Sequence, residues 1–215
     1  MSLDWINQFS AYPLVALVGY LIGTSNMAMY LAHFKGVDLK AGGSGNPGAS
    51  NALILMGWKA GVLVGVHDVG KAVLAVWLAG VLFPGVAHPG VVAGVACVIG
   101  HMYPFYTHFR GGKGFAAYLG MTLALNWKFA LALLVVLAVL LIVTDYIVVC
   151  TMTTVVALPA YYAVTGHFVL MALLCVASAV IVYKHRINLT RIANGTEIGF
   201  RSAGRGDHRV KSGKK

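Results

Sequence analysis

Charge is the first thing this sequence lacks. Only 10% of its 215 residues are Asp, Glu, Lys or Arg, against about 25% in soluble globular chains. Acidic groups are scarcer still, six against sixteen basic ones, and Glu197 is the sole glutamate. A deficit of that size excludes a soluble domain with a hydrated surface and makes lipid part of the solvent. Cysteine is scarce too. Cys97, Cys150 and Cys175 each stand alone in an apolar run, which excludes a disulfide framework or a thiolate metal site and leaves them as small core residues. The first apolar run, from Ala11 to about Ala32, has no basic stretch before it and no small-residue cleavage site after it. It is therefore expected to be a retained span and not a signal peptide.

What the sequence has is apolar length. Hydrophobic residues make up 59% of the chain, with mean hydropathy +0.81. Runs long enough to cross roughly 30 Å of hydrocarbon recur from end to end. Backbone groups in that layer must bond within their own segment, so the expected class is all-α: a polytopic integral membrane protein with about seven transmembrane helices. The expected spans are 11–33, 60–83, 90–105, 114–126, 129–144, 147–164 and 168–184, with a half-helix at 50–57 ended by Gly57-Trp58-Lys59. The third and fourth runs are short for a lone crossing, which suggests a notched core around a cavity. One membrane domain is expected over residues 1–200, followed by a basic cytoplasmic tail at 201–215.

Seven crossings put the termini on opposite sides. Lys35, Lys40, Arg110, Lys113 and the nine Lys and Arg from Lys184 onward fall on one side, and the loops of the other carry Lys128 alone. The positive-inside rule then gives an outer N-terminus and a cytoplasmic C-terminus. Beside a membrane, the basic tail reads as a contact for anionic lipid and not for nucleic acid. Glycines four apart, Gly57/Gly61/Gly65, Gly19/Gly23 and Gly90/Gly94, suggest close helix packing.

Polar residues gather in three segments that this topology sets on the cytoplasmic face. The first runs Gly42-Gly43-Ser44-Gly45-Asn46-Pro47-Gly48-Ala49-Ser50-Asn51. Its glycines permit close backbone approach, Ser44, Asn46 and Asn51 offer hydrogen bonds, and N–H groups leading into a helix make an anion site. The second joins Gly100-His101-Met102-Tyr103-Pro104 to Phe109-Arg110-Gly111-Gly112-Lys113-Gly114. Lys113 among glycines at a helix start can meet a phosphate together with free N–H groups, although the spacing is not that of a P-loop. The third is Arg186-Ile187-Asn188-Leu189-Thr190-Arg191-Ile192 with Asn194-Gly195-Thr196-Glu197, readable as an interfacial helix with snorkelling arginines. Glu197 is expected to pair with a nearby cation, structurally or at a site. Asp68 and Lys71, three apart inside the second span, must pair or face a wet cavity, as structural partners or as site support.

In this order the segments resemble the bacterial membrane glycerol-3-phosphate acyltransferases that use acyl phosphate as donor. The resemblance rests on Gly43-Ser44-Gly45-Asn46…Asn51, on Gly100-His101…Pro104…Phe109-x-Gly111-Gly112-Lys113-Gly114, and on His185-Arg186-x-Asn188…Arg191…Gly195-Thr196-Glu197. It implies transfer of a fatty acyl group to the sn-1 hydroxyl of glycerol 3-phosphate, giving lysophosphatidate in phospholipid synthesis at the bacterial cytoplasmic membrane. It implies no cofactor and no metal. Acyl phosphate and glycerol 3-phosphate are the implied substrates, with membrane lipid as the surroundings. His101, Lys113 and Ser44 are the candidate catalytic residues. Gly43, Gly45, Asn46, Asn51, Gly111, Gly112, Gly114, Asn188, Arg191 and Glu197 are the candidate phosphate and substrate ligands, supported by Asp68 and Lys71. The base that takes the hydroxyl proton is either His101 or a substrate phosphate oxygen.

The chain departs from the family pattern at Ile54, where an arginine is usual, at Asp145-Tyr146-Ile147-Val148 in place of Arg-Tyr-x-Ser, and at Ala72 in place of a glycine. Losing a cation at position 54 opens the alternative of another acceptor. A transporter of a phosphorylated metabolite is the rival from a different class, but it should also place charge on the far side. His33 and Asp38 have an H-x-x-x-x-D spacing that lacks the other blocks of the acyl-CoA-dependent acyltransferases.

Overall fold

The computed structural model describes residues 3–204, and among these there is no β-strand. The helices are α1 (Leu3–Thr24), α2 (Met27–Lys35), α3 (Ala49–Met56), α4 (Trp58–Leu82), α5 (Pro89–Met102), α6 (Phe115–Leu125), α7 (Trp127–Thr144), α8 (Ile147–Val164), α9 (Phe168–Ala193) and α10 (Phe200–Gly204), with a 3-10 turn at Phe105–Thr107. Among the described residues, six segments are long and apolar enough to cross a membrane: Ser10–Lys35, Trp58–Leu82, Pro89–Thr107, Trp127–Thr144, Ile147–Val164 and Phe168–Ala193. The seventh expected span is α6. Its 11 residues reach about 16 Å at 1.5 Å each, half of the hydrocarbon layer.

Lipid-facing helices carry their apolar residues outward. Val135, Val143 and Val164 are 67%, 76% and 90% exposed, which is stable only against acyl chains. Trp58 and Trp127 open α4 and α7, each with the following lysine over its ring. Aromatic and basic side chains of this kind sit at the two membrane boundaries. Inside, α6 packs against α4, α5, α7 and α8 and touches α9. Tyr118 and Met121 are fully buried with Met102, Leu158, Leu174 and Ile181, and the Tyr118 hydroxyl lies 2.8 Å from Ser178 Oγ.

Backbones approach closely between α1 and α5. A Cβ on Gly19 would land on the backbone of Ala93, one on Gly23 on Cys97, and one on Gly100 on Tyr20. Gly19 and Gly23 therefore pack as their spacing suggests. Gly57 differs: it has φ +86° and nothing within 4 Å of a built Cβ, so it makes the α3–α4 turn instead of a packing seam. Gly23→Val should push α1 off α5. The overpacking cost is about 1–3 kcal/mol, and thermal unfolding in detergent should show an apparent Tm lower by several degrees.

Two expected spans are redrawn. The run at 11–33 is broken between α1 and α2 because Asn26, 2% exposed, turns its side chain on the backbone. Its Oδ1 accepts from Met29 N–H at 3.1 Å and its Nδ2 donates to Pro47 O at 3.3 Å. An Asn that bonds locally competes with the helix ladder. The last span, expected to stop at 184, continues to Ala193. The apolar run ends there but nothing breaks the helix, and the Lys184 ammonium and Arg186 guanidinium lie over the Tyr103 and Tyr183 rings. Residues 201–204, assigned from sequence to the tail, form part of α10. Phe200 N–H donates to Asp145 O at 2.8 Å and Arg201 N–H to Asp145 Oδ1 at 2.9 Å. The basic stretch 205–215 lies outside the described residues.

A cationic cavity at the helix ends

The starts of α3, α6 and α8, the end of α5 and the C-terminal part of α9 meet around a cavity of about 140 Å³. That is room for roughly ten waters, enough for a small phosphorylated polyol and too little for a long acyl chain. Ser44, Asn46, Lys113, Asn188, Arg191 and Glu197 all border it, as do Asp68 and His101. The three polar segments, distant in sequence, therefore share one space.

The positive end of the cavity comes from backbone as much as from side chains. Helix α3 starts after Gly48 and α6 after Gly114, and neither has a side-chain cap. Ala49, Ser50, Phe115 and Ala116 lie on the cavity wall, so two helix N-termini turn first-turn N–H groups toward it. Such ends favour anions through both the unpaired donors and the helix dipole. Gly114 is the αL residue at φ +95° that lets the chain turn from Lys113 into α6.

Lys113 is tethered. Its Nζ donates to Asn188 Oδ1 at 2.7 Å, and Asn188 Nδ2 donates to Glu197 Oε1 at 2.6 Å. Glu197 Oε2 is buried with no hydrogen-bond partner among the described residues. Burial lowers the Lys113 pKa from the usual lysine range. The Glu197 carboxylate counters that fall, while Arg191 and Lys184 add to it. The result is a cation that is poorly hydrated and incompletely neutralised, one that an incoming phosphate would stabilise.

Behind this wall lies a buried cluster. Asp68, Lys71 and His101 are 3%, 6% and 3% exposed. Lys71 Nζ is 2.9 Å from Asp68 Oδ1, 2.8 Å from His101 Nδ1 and 2.7 Å from Ser25 O. Asp68 and Lys71 pair, as ionisable groups at that depth must, and the pair reaches the cavity through Asp68 and His101.

Several candidate ligands take other places. Asn51 is fully buried, with its Oδ1 accepting from Ser44 N–H at 2.8 Å and its Nδ2 donating to Leu39 O at 2.9 Å. Both ends of its amide therefore hold the 39–51 loop, and Asn51 acts on Ser44 and not on the cavity. Gly43 sits against it: a Cβ there would strike Asn51 Oδ1. Gly45 closes the same loop, its N–H donating to Gly42 O at 3.1 Å. The N–H groups of Gly111 and Gly112 donate to Met102 O and His101 O, both at 3.1 Å. They cap α5 and are not free donors. Gly112 matters through what it lacks, since a Cβ there would collide with His101 Nε2.

The cavity wall also holds His185 and Phe200, which the sequence did not mark as site residues, and Ile54, Ile147 and Val148, visible there only as departures from the family pattern. His185 Nδ1 lies 2.9 Å from Ile181 O. A carbonyl only accepts, so Nδ1 carries the proton and the neutral ring keeps Nε2 as an acceptor. The signal was its place in the His-Arg-x-Asn run. Asp145 was visible only as a departure from a pattern, and it anchors the 199–201 segment over the cavity.

Comparison with known proteins bears on this arrangement. A family model described as glycerol-3-phosphate acyltransferase matches residues 13–195. A protein of Oceanobacillus iheyensis named glycerol-3-phosphate acyltransferase 1 is 34% identical over 197 residues, covering 86% of this chain and 93% of that one. A glycerol-3-phosphate acyltransferase of Bacillus cytotoxicus is 35% identical over 185 residues, covering 86% and 92%. Among solved structures, the integral membrane glycerol 3-phosphate acyltransferase PlsY in its glycerol 3-phosphate form superposes with TM-score 0.82 at 32% identity, over 89% of this chain and 96% of that one. Its lysophosphatidic acid form gives TM-score 0.79 at 31% identity, over 90% and 98%.

Proposed function

The chain belongs to the glycerol-3-phosphate acyltransferase family, and from that premise we propose that it transfers a fatty acyl group from an acyl phosphate to the sn-1 hydroxyl of glycerol 3-phosphate, forming lysophosphatidate. The observation that carries the reading is the convergence of Lys113, Arg191 and two uncapped helix N-termini on one small cavity. Both substrates bring a phosphate, and this is the chemistry that recognises one. The relatives' names, and the two ligand forms in which PlsY was solved, support glycerol 3-phosphate as acceptor and lysophosphatidate as product.

An acyl phosphate is already activated, so the protein's work is to hold the reactants in line and stabilise charge. The hydroxyl oxygen attacks the acyl carbon and forms the ester bond. The bond from that carbon to the phosphate oxygen breaks, and inorganic phosphate leaves, carrying the hydroxyl proton. Lys113 and the α6 N-terminus hold a phosphate, Ser44 and Asn46 face it from the 42–48 loop, and Asn188 with Glu197 fixes Lys113. His185 Nε2 offers an acceptor for the hydroxyl. The acyl chain leaves the cavity past Leu53, Ile54, Ile147 and Val148 into lipid. The cavity opens on the cytoplasmic side of a bacterial inner membrane, with the N-terminus outside and the C-terminus inside.

The apolar wall favours one second reading. Ile54, Ile147 and Val148 leave that side of the cavity without a cation or hydroxyl, which suits a less polar phosphorylated acceptor. Ile54→Arg puts a guanidinium at that edge and should lower KM for glycerol 3-phosphate by about tenfold, one charge-assisted contact being worth about 1.5–3 kcal/mol. An unchanged KM would favour the other acceptor. The reaction itself is tested with labelled glycerol 3-phosphate and either palmitoyl phosphate or palmitoyl-CoA. Labelled lysophosphatidate from the phosphate donor alone supports the reading, and product from the CoA donor alone contradicts it.

A further inference from the structure

Lys71 carries three N–H donors and no acceptor. It has three partners at hydrogen-bond distance: Asp68 Oδ1 at 2.9 Å, Ser25 O at 2.7 Å and His101 Nδ1 at 2.8 Å. Each donor is thus used once. The third bond has a consequence for the ring. An ammonium can only donate, so His101 Nδ1 must accept, and it therefore carries no proton. A neutral imidazole with a bare Nδ1 has its proton on Nε2.

The other contacts of the ring agree. Asp68 Oδ1 lies 3.4 Å from His101 Nδ1, longer than a charge-assisted hydrogen bond of about 2.7–2.9 Å and suited to two acceptors sharing one ammonium. On the far side of Asp68, His67 Nδ1 is 3.5 Å from the same oxygen and has no hydrogen-bond partner among the described residues, while His67 Nε2 is held by Ser25 Oγ at 3.0 Å. His67 therefore does not displace Lys71 from Asp68. The opposite edge of the His101 ring, Nε2, packs on the bare Cα of Gly112, next to Lys113, and the residue borders the cavity.

We propose that Lys71 is a positioning residue that locks His101 in its Nε2–H tautomer, so that His101 serves the reaction as a hydrogen-bond donor to a negatively charged substrate oxygen and not as the general base. The oxygen is either that of the acyl carbonyl as it becomes an oxyanion or one of a bound phosphate. Asp68 Oδ1, 2.9 Å from Lys71 Nζ, holds the lysine in place. The inference rests on the cavity being the reaction site, and of the two bases that the sequence leaves open, His101 or a substrate phosphate oxygen, it keeps only the second.

The test is the nitrogen NMR spectrum of ring-labelled histidine in the full chain in lipid, with His101 assigned by the signal missing from His101→Gln. The wild type should show a protonated Nε2 and a bare Nδ1 at His101, and Lys71→Met should lose that preference. In acyl transfer, His101→Gln, which can donate but cannot act as a base, should stay within about tenfold of wild type, while His101→Ala falls by about 10²–10³-fold. A fall in kcat marks the oxyanion as the partner and a rise in KM marks the phosphate. A wild-type spectrum with a protonated Nδ1, or Gln and Ala variants equally inactive in folded protein, would overturn the proposal. The wild-type spectrum decides the tautomer even where Lys71→Met does not fold. The expected spectrum without any acyl transfer would sink the functional reading and not the tautomer.

Discussion

Lys113→Ala is expected to lower kcat/KM for glycerol 3-phosphate by about 10²–10³-fold, the usual cost of losing one preorganised charge-stabilising donor. The protein should stay folded. Lys113 sits at the cavity wall, and its side-chain bond is to Asn188 Oδ1 at 2.7 Å, which a water can replace. The effect is large because the ammonium is half-buried and has no carboxylate in direct contact: Glu197 reaches it through Asn188. The check is steady-state kinetics beside a thermal scan of the same preparation. An equal loss in Glu197→Gln would mean that the tether, and not the cation alone, sets the geometry. A Lys113→Ala variant with wild-type kinetics would remove the phosphate site from the account.

Asp68→Leu should be the most destabilising single change. It leaves the Lys71 ammonium, 6% exposed, with a carbonyl and an imidazole as its partners. Breaking a buried ion pair from one side costs about 3–5 kcal/mol, whereas replacing both charges by apolar groups of similar volume can be neutral. Asp68→Leu with Lys71→Met should therefore regain most of the lost thermal stability. It should not regain activity, because His101 then has nothing to fix its tautomer. A fully active double variant would reduce the pair to a structural role.

The class of fold was legible because lipid leaves so few choices. Charge is scarce, apolar runs recur, and six segments of the expected kind are present with one short helix among them. The convergence of Ser44, Asn46, Lys113, Asn188, Arg191 and Glu197 was legible for a related reason, since polar residues in such a chain have few places to go. What stayed hidden depends on which partner a group finds in space. Nothing in the spacing says that Asn26 would turn on Met29 and Pro47 and break the first span. Nor does it say that the Gly111 and Gly112 N–H groups would cap α5 instead of facing an anion. Asn51 carries the same side chain as Asn188, yet one braces a loop and the other bridges Lys113 to Glu197. The roles of His101 and His185 depend on which ring nitrogen meets a donor and which meets a carbonyl, and that is a fact of tertiary packing.

The most direct measurement follows phosphorus. Palmitoyl phosphate and glycerol 3-phosphate, given to the purified protein in a lipid mesophase, can be watched together by ³¹P NMR. The acyl phosphate signal should give way to inorganic phosphate and lysophosphatidate in equal amounts, and only when both substrates are present. Phosphate released without lysophosphatidate, or no change at all with folded protein, would contradict acyl transfer to glycerol 3-phosphate.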